Sequence, residues 1–259
     1  MTYWNAVLLG LVQGVAEFLP ISSSGHLAVL QNFLAIGDME NHMLFDVLLH
    51  LGTLAAVILA FWKDVREVVT EFARMLHIRR TPRGLRPNRR ERRLISFLII
   101  ATLPLIPAAF LSNVVESLYQ NTFFIGFAFI LTGFLLFAAD RMGHGNKDER
   151  SSTTADALVV GLAQAVAVVP GLSRSGTTIS FGMLRGFERS FAVKFSFLLS
   201  IPAVLGANLV SLIKVFSTGV EWSYVPMYLV GVACAFVSGY FAIYFLRLVV
   251  QRGKFGGFC

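Results

Sequence analysis

Charge is what this chain has least of. Only 14% of its 259 residues are Asp, Glu, Lys or Arg, where a soluble domain carries roughly 25%. That deficit argues against a surface that faces water all round. Cysteine is scarce too: Cys234 sits inside an apolar run and Cys259 is the last residue, which excludes a disulfide framework and a thiolate metal site. The first residues, MTYWN, lack the basic stretch of a signal peptide, and the apolar segment after them carries Gln13 and Glu17. That segment is therefore expected to belong to the mature protein. Basic residues are not interleaved with aromatics as on a nucleic-acid surface, so the net charge of +7 is not read as a sign of nucleic-acid binding.

What the chain has in place of charge is long apolar runs. Residues 94–112, 121–139, 195–213 and 222–246 contain no charged side chain, and 43–62 contains only Asp46 and His50. Each is close to or longer than the ~20 residues that cross a bilayer as a helix. An all-α integral membrane protein of about five spans follows, with the second-repeat span at 195–213 extended back to 191. Eleven of the 22 basic residues lie between Lys63 and Arg93, in what reads as a loop joining two spans. By the positive-inside rule that loop is expected in the cytoplasm.

The chain also repeats itself. Asn5–Gly25 reads NAVLLGLVQGVAEFLPISSSG and Asp156–Gly176 reads DALVVGLAQAVAVVPGLSRSG. Gly10/Gly161, Gln13/Gln164, Ser22/Ser173, Ser24/Ser175 and Gly25/Gly176 all match at one constant offset. Both copies are short, partly polar and broken at Pro20 or Pro170-Gly171. Such segments are expected to form re-entrant helical hairpins, which survive at membrane depth where protein or a water-filled cavity surrounds them. The first repeat is read as 1–140, with a hairpin over 5–36 and spans 43–62, 94–112 and 121–139. The second is 156–259, with a hairpin over 156–187 and spans 191–213 and 222–246. Three crossings between the hairpins invert the second relative to the first, so the two can meet near the midplane. By the logic of the repeat, a final span is missing.

The broken segments carry the chemistry. In the first, Gln13 and Glu17 share a helix face, and Ser22, Ser23, Ser24, Gly25 and His26 follow. A carboxylate inside a membrane segment is a functional residue by default. Ser23 and His26, three apart, offer a nucleophile and a base. In the second segment, Ser173, Arg174, Ser175, Thr177 and Thr178 open a helix whose N-terminus attracts anions. Arg174 supplies a planar fork for phosphate oxygens. One hairpin thus offers nucleophile, base and carboxylate, and the other an anion cradle: a phosphoryl-transfer site for a lipid with a phosphate head. Asp46 and His50, four apart on a span, either line the cavity or pair with each other, and pairing is slightly favoured. A transporter with inverted repeats is the competing reading, and the serine–histidine pair, which a carrier does not need, separates the two.

The runs QGVAEFLPISSSGH and VVPGLSRSGTTIS strongly resemble the undecaprenyl-diphosphate phosphatase, or bacitracin-resistance, family. The family's [E/Q]xxxE pattern falls on Gln13 and Glu17, SSxGH on Ser22, Ser23, Gly25 and His26, and PGxSRSxxT on Pro170 to Thr178. The resemblance runs from about residue 3 to residue 254. It implies hydrolysis of undecaprenyl diphosphate, the cell-wall lipid carrier, to the monophosphate and phosphate. It further implies the bacterial inner membrane, a site open to the periplasmic side, a divalent cation (Mg2+ or Ca2+) with Glu17 as ligand, and often a homodimer. On this basis Glu17, Ser23, His26 and Arg174 are expected to be catalytic, with either Ser23 or His26 attacking phosphorus and Ser23 favoured. Gln13, Ser22, Ser173, Ser175, Thr177 and Thr178 are expected to bind substrate. Members of the family usually continue through a final helix, and this chain stops before it.

Overall fold

The structure is a computed structural model. It describes residues 1–34, 39–76, 88–111, 115, 117–119, 121–143, 145–218 and 222–251, and these are all helix and connection. The helices are α1 (Tyr3–Phe18), α2 (Ser23–Phe33), α3 (Met39–Ala60), α4 (Trp62–Met75), α5 (Arg89–Thr102) and α6 (Leu105–Ala109). After them come α7 (Thr122–Met142), α8 (Thr154–Val166), α9 (Arg174–Leu184), α10 (Arg189–Thr218) and α11 (Val225–Gln251). Five stretches are long and apolar enough to cross a membrane: Met43–Ala60, Arg89–Ala109, Thr122–Met142, Arg189–Ile213 and Trp222–Val250. Along α7, Phe123, Phe127, Ile130 and Phe134 form an exposed stripe at helical spacing. Such a stripe is stable against lipid and costly against water.

The duplication is visible in the caps. Thr2 and Thr153 cap α1 and α8 through their hydroxyls, and Ser22 and Ser173 cap α2 and α9. A side-chain oxygen at each start takes an N–H that the helix itself cannot satisfy. The pair α2 and α9 begin and end at positions 151 apart, Ser23 against Arg174 and Phe33 against Leu184. The serine caps stand at matching positions in both copies, whereas the prolines, Pro20 and Pro170, are offset by one residue and the helix before the second break stops earlier, at Val166 rather than at the counterpart of Phe18.

Packing exchanges the repeats. α1 lies on α11, with Gly10 against the Gly231 carbonyl and Gly14 against Ala235, Ser238 and Gly239. α8 lies on α5, with Gly161 against Ala101. Small residues four apart let two backbones approach, and in lipid that close contact is what holds helices together. The main core fills the space between these layers with Phe18, Phe61, Phe97, Phe187, Phe195 and Phe197. Phe197 meets both Phe18 and Phe61 edge-on, at 5.5 and 5.6 Å between ring centroids.

Two expectations need correcting. The basic stretch 63–93 is not simply a loop, because Trp62–Met75 forms α4 and α5 already starts at Arg89. In α4 the charged and apolar residues alternate with helical period, Asp64, Glu67 and Glu71 on one side and Val65, Val69 and Phe72 on the other. The span expected at 94–112 likewise starts earlier, at Arg89, and two of the arginines in its first turns are paired with carboxylates. Arg90 pairs with Glu149, and Arg92 donates to Glu71 at 2.7 Å. Further pairs, Lys194 with Asp64, Arg189 with Asp140, and Lys147 and Arg185 with Asp156, collect these charged ends on one face of the molecule. Residues 77–87 and 252–259, which hold the rest of the basic stretch and the expected end of the second repeat, lie outside the described residues, as do 35–38 at the end of the first hairpin.

A candidate active site across the two repeats

The site is centred on one carboxylate. Glu17 ends α1 one turn before the Pro20 break and is 8% exposed. Its Oε2 accepts the Ser23 hydroxyl at 2.6 Å and the Gln13 amide N–H at 3.1 Å. Its Oε1 accepts an N–H of Arg174, which comes from the other repeat. Ser23 and Arg174 are the first residues of α2 and α9. The two helix N-termini, with their partial positive charge, therefore converge on the same group. The breaks themselves touch: a Cβ on Gly25 would stand 3.1 Å from Gly171 Cα, and one on Gly176 would stand 3.2 Å from Pro20 Cβ. A side chain at Gly25 would also run into the Phe129 ring, at 2.5 Å, whereas one at Gly176 would need its neighbours to yield by only a few tenths of an ångström.

The turn before α2 is strained. Ser22 has φ 69°, the one positive φ on a non-glycine among the described residues. Outside glycine that conformation costs on the order of 1–3 kcal/mol and persists where its surroundings enforce it. Here the Ser22 carbonyl accepts from the His26 backbone N–H at 3.3 Å and from His26 Nδ1 at 2.7 Å. The second break takes its positive φ at Gly171, at 89°, where no side chain opposes it.

This geometry corrects the serine–histidine pair. The Ser23 hydroxyl points to Glu17, not to His26. The imidazole of His26 is turned back one helical turn onto the Ser22 carbonyl, and its ring lies against Phe129 at 5.0 Å. Since a carbonyl only accepts, Nδ1 carries a proton and donates it to this bond. Asp46 and His50 do not pair side chain to side chain either. Asp46 accepts from Gln31 at 2.9 Å, while His50 Nδ1 donates to the Asp46 backbone carbonyl at 2.7 Å. The Nε2 edge of His50 faces Glu17 Oε2 at 3.8 Å.

The second repeat's polar residues divide by what they touch. The Ser173 oxygen accepts the Gly176 N–H at 3.0 Å and lies 3.2 Å from Ser175 Oγ. Thr178 is tied to the Arg174 carbonyl at 2.8 Å and to Ser196 at 2.6 Å, so it braces α9 against α10. The Thr177 hydroxyl is buried without a partner among the described residues. Ser22 and Ser24 lie 3.4 Å apart on the first repeat's side of the break. Sequence reasoning passed over Thr132, whose hydroxyl takes the Ser173 N–H at 3.1 Å and anchors the second break to α7. It also passed over Gln31 and Ser196. Their one signal was a polar side chain in an apolar stretch, which is weak because hydroxyls commonly bond their own helix.

The residues present do not fit a protein-held divalent ion. An ion held by protein groups alone takes six or more oxygen ligands, whereas Mg2+ is commonly held by one or two carboxylates together with water and substrate phosphate oxygens. Both oxygens of Glu17 are already engaged, and among the described residues no group of three or more His, Cys, Asp or Glu could hold a metal.

Fold and site together define a multi-pass helical membrane protein that presents a hydroxyl, a carboxylate and a guanidinium at the junction of two duplicated, broken helices. The chain belongs to the family of the bacitracin resistance protein BacA, whose family model matches residues 6–259. It is 41% identical to a protein of Alkaliphilus metalliredigens named undecaprenyl-diphosphatase, over 98% of this chain and 92% of that one. A protein of the same name from Syntrophotalea carbinolica is 41% identical over 100% of this chain and 94% of its own length. Another, from Halothermothrix orenii, is 37% identical over 98% and 92%.

Proposed function

We propose that this protein hydrolyses undecaprenyl diphosphate to undecaprenyl phosphate and inorganic phosphate, returning the lipid carrier to cell-wall synthesis. The observation that carries the reading is the single carboxylate, Glu17, that holds Ser23 of one repeat on one oxygen and Arg174 of the other repeat on its second. Glu17 takes the hydroxyl proton as Ser23 Oγ attacks the terminal phosphorus. The bridging P–O bond breaks, and the polyprenyl phosphate leaves with the electron pair. Glu17 then gives its proton up to solvent and, as a carboxylate again, takes a proton from the water that attacks the phosphoserine. The Ser23 Oγ–P bond breaks, and the leaving oxygen takes that proton back from Glu17. Arg174 and the N–H groups opening α2 and α9 face the charge that accumulates on the equatorial oxygens. Such preorganised donors act most strongly where water is excluded. His26 is the alternative attacking group. Gln13 orients Glu17, and the hydroxyls of Ser22, Ser173, Ser175 and Thr177 line the phosphate's side of the break.

A transporter needs charge at such a site but no hydroxyl directed onto a base, so the 2.6 Å Ser23–Glu17 bond favours chemistry over carriage. A divalent cation belongs in this reading as a companion of the diphosphate, and no step is routed through it. The charged face carrying the basic stretch is assigned to the cytoplasm, the two hairpins to re-entrant positions within the inner membrane, and the site to the periplasmic side. A homodimer is the expected assembly.

The test is phosphate release from undecaprenyl diphosphate by purified protein in detergent, with and without chelator. Ser23→Ala should abolish turnover, while Ser22→Ala and Ser24→Ala should retain most of it. A wild-type protein that releases no phosphate would overturn the assignment. Comparable losses at all three serines would instead make His26 the nucleophile.

A further inference from the structure

We infer that Phe129 is a specificity-determining residue for the substrate's chain, standing at the closed end of an apolar cleft between α2 and α7 through which that chain leaves the site for the bilayer. The inference rests on the polyprenyl diphosphate reading above. Head and chain of such a substrate need opposite surroundings. The head belongs among Ser23, Glu17 and Arg174, whereas the chain is stable only against apolar surface or lipid. An apolar way out must therefore begin beside the two breaks.

Phe129 of α7 lies against the first turn of α2, with its ring 5.0 Å from the His26 ring and in the way of any side chain at Gly25. Gly25 also faces Gly171 across the breaks, so this contact adjoins the site. Residues three and four apart share a helix face. On α2 the face of Gly25 and His26 continues through Val29 to Phe33, and on α7 the edge of Phe129 continues back to Gly126. One turn from the Phe129 contact the helices have already parted. Nothing lies within 4 Å of a Cβ added to Gly126, Val29 is 38% exposed and Phe33 is 84% exposed. The cleft widens away from the charged face. α7 ends at that face, where Asp140 meets Arg189. α2 runs the other way, because its Gln31 reaches Asp46 near the start of α3, and α3 ends at the charged face with Ala60 beside Arg247.

Elsewhere around the breaks the helices are closed on one another. α1 is seated on α11 and α8 on α5 through small residues. α9 is tied to α10 by Thr178 and Ser196 at 2.6 Å, and Thr132 of α7 holds the second break at Ser173. The cleft also has the right chemistry for a hydrocarbon. No Asp, Glu, Lys or Arg occurs in Ser23–Phe33 or in Thr122–Phe134, so nothing in either wall would hold a second charged head. Beyond the cleft, the exposed Phe123 and Phe127 of α7 offer the chain a lipid-facing surface. The Phe129 ring is thus the first apolar surface beyond the phosphate, and its bulk sets the width through which the first isoprene units pass.

The experiment is steady-state hydrolysis of undecaprenyl diphosphate in detergent by full-length wild type, Phe129→Ala, Gly126→Trp and Leu209→Trp, beside thermal melting of each. Leu209 is an exposed residue of α10, outside the cleft. Gly126→Trp should raise KM at least about 10-fold, the low end for a misfit in an apolar pocket, with kcat within about threefold of wild type. Phe129→Ala should raise KM by less, and Leu209→Trp should change neither constant. An unchanged KM in either cleft variant, or an equal rise in Leu209→Trp, would overturn the inference. A second readout decides the matter where a cleft variant melts low. With p-benzoylphenylalanine in place of the exposed Val29, light should attach undecaprenyl diphosphate labelled in its chain, and unlabelled substrate should compete the adduct away. The same group at Leu209 should give no such adduct. Equal labelling at both positions would mean contact with bulk lipid, and a protein–protein adduct at Val29 would mean a second copy in the cleft; each sinks the idea. Wild-type phosphate release separates the two claims. No release removes the hydrolysis reading, whereas release with an unaffected, stable Gly126→Trp removes the cleft alone.

Discussion

At the scale of single residues, the site is a contest for Glu17. In the structure its two oxygens satisfy Ser23 and Arg174 together, and an incoming phosphate brings oxygens that suit the same guanidinium. Arginine presents five N–H donors in a planar fork, whereas lysine is a point charge on a flexible stem. Arg174→Lys therefore keeps the charge and loses the geometry. If the clamp tightens on the transition state, kcat should fall on the order of 10²-fold, with KM changing much less. Steady-state kinetics checks this, and a variant with intact kcat and a raised KM would reduce Arg174 to ground-state binding. The residues of this contest were legible in the sequence, because a Glu, a Ser and an Arg inside apolar segments have few other reasons to be there. The partner of Ser23 was not. Spacing put His26 on the serine's face, but it could not show that a strained Ser22 would offer its carbonyl to the ring.

At the scale of elements, the broken helices are positioned by what their other ends do. α1 is held to α11 by Gly10 and Gly14. A methyl group on Gly14 would come within 2.5 Å of the Ala235 carbonyl and 2.7 Å of the Gly239 nitrogen. Backbone cannot yield as a side chain can, so Gly14→Ala should lower stability by about 1–3 kcal/mol and displace Glu17 along with it. Gly206 has nothing within 4 Å of the same added atom, and Gly206→Ala should be neutral or stabilising. Thermal melting in detergent compares the two. α8 is held at its start by Asp156, which caps its own helix through Thr153 and takes Lys147 at 3.0 Å and Arg185 at 2.8 Å. Burial would raise this carboxyl, but the hydrogen bonds from Lys147, Thr153 and Arg185 outweigh it and hold it at about 2, below the ordinary 3.8. A depressed carboxyl stabilises the fold fully above its unfolded value, and the contribution is lost as pH falls through the folded one. Wild-type melting temperature should thus drop between about pH 4 and pH 2 more steeply than that of Asp156→Asn, which should already be lower at neutral pH. Parallel slopes would show that Asp156 contributes nothing through its charge. The Thr153–Asp156 cap is local to the chain, whereas its cations lie 9 and 29 residues away and leave no local pattern.

At the scale of the whole molecule, the duplication determines more than the span count does. Hydrophobic runs located the five spans, and the repeat located the two breaks, because both are local patterns. The exchange of partners between repeats, α1 on α11 and α8 on α5, is a long-range fact that no local pattern carries. The helix in the basic stretch was hidden for another reason: charges of both signs, Lys63, Arg66 and Arg74 beside Asp64, Glu67 and Glu71, interrupt the apolar stripe of α4. Lys194 meets Asp64, Arg90 meets Glu149, Arg189 meets Asp140, and Arg247 reaches the Ala60 carbonyl. The ends of α3, α7 and α11 and the starts of α4, α5 and α10 therefore share one face. That face holds the basic stretch, and short basic segments beside spans are retained in the cytoplasm. Thr122 begins α7, a full span away from Arg141 at its other end, so it belongs to the opposite face. In a background with Cys234 and Cys259 replaced, a cysteine at Ser151 should react with an impermeant maleimide only after the cells are opened. A cysteine at Gly84, within the basic stretch, should behave the same way, and one at Thr122 should react in intact cells. Labelling of Ser151→Cys from outside would invert the molecule. Labelling of Ser151→Cys and Thr122→Cys from the same side would go further, since α7 would then not cross the membrane and the second break could not meet the first from the opposite face.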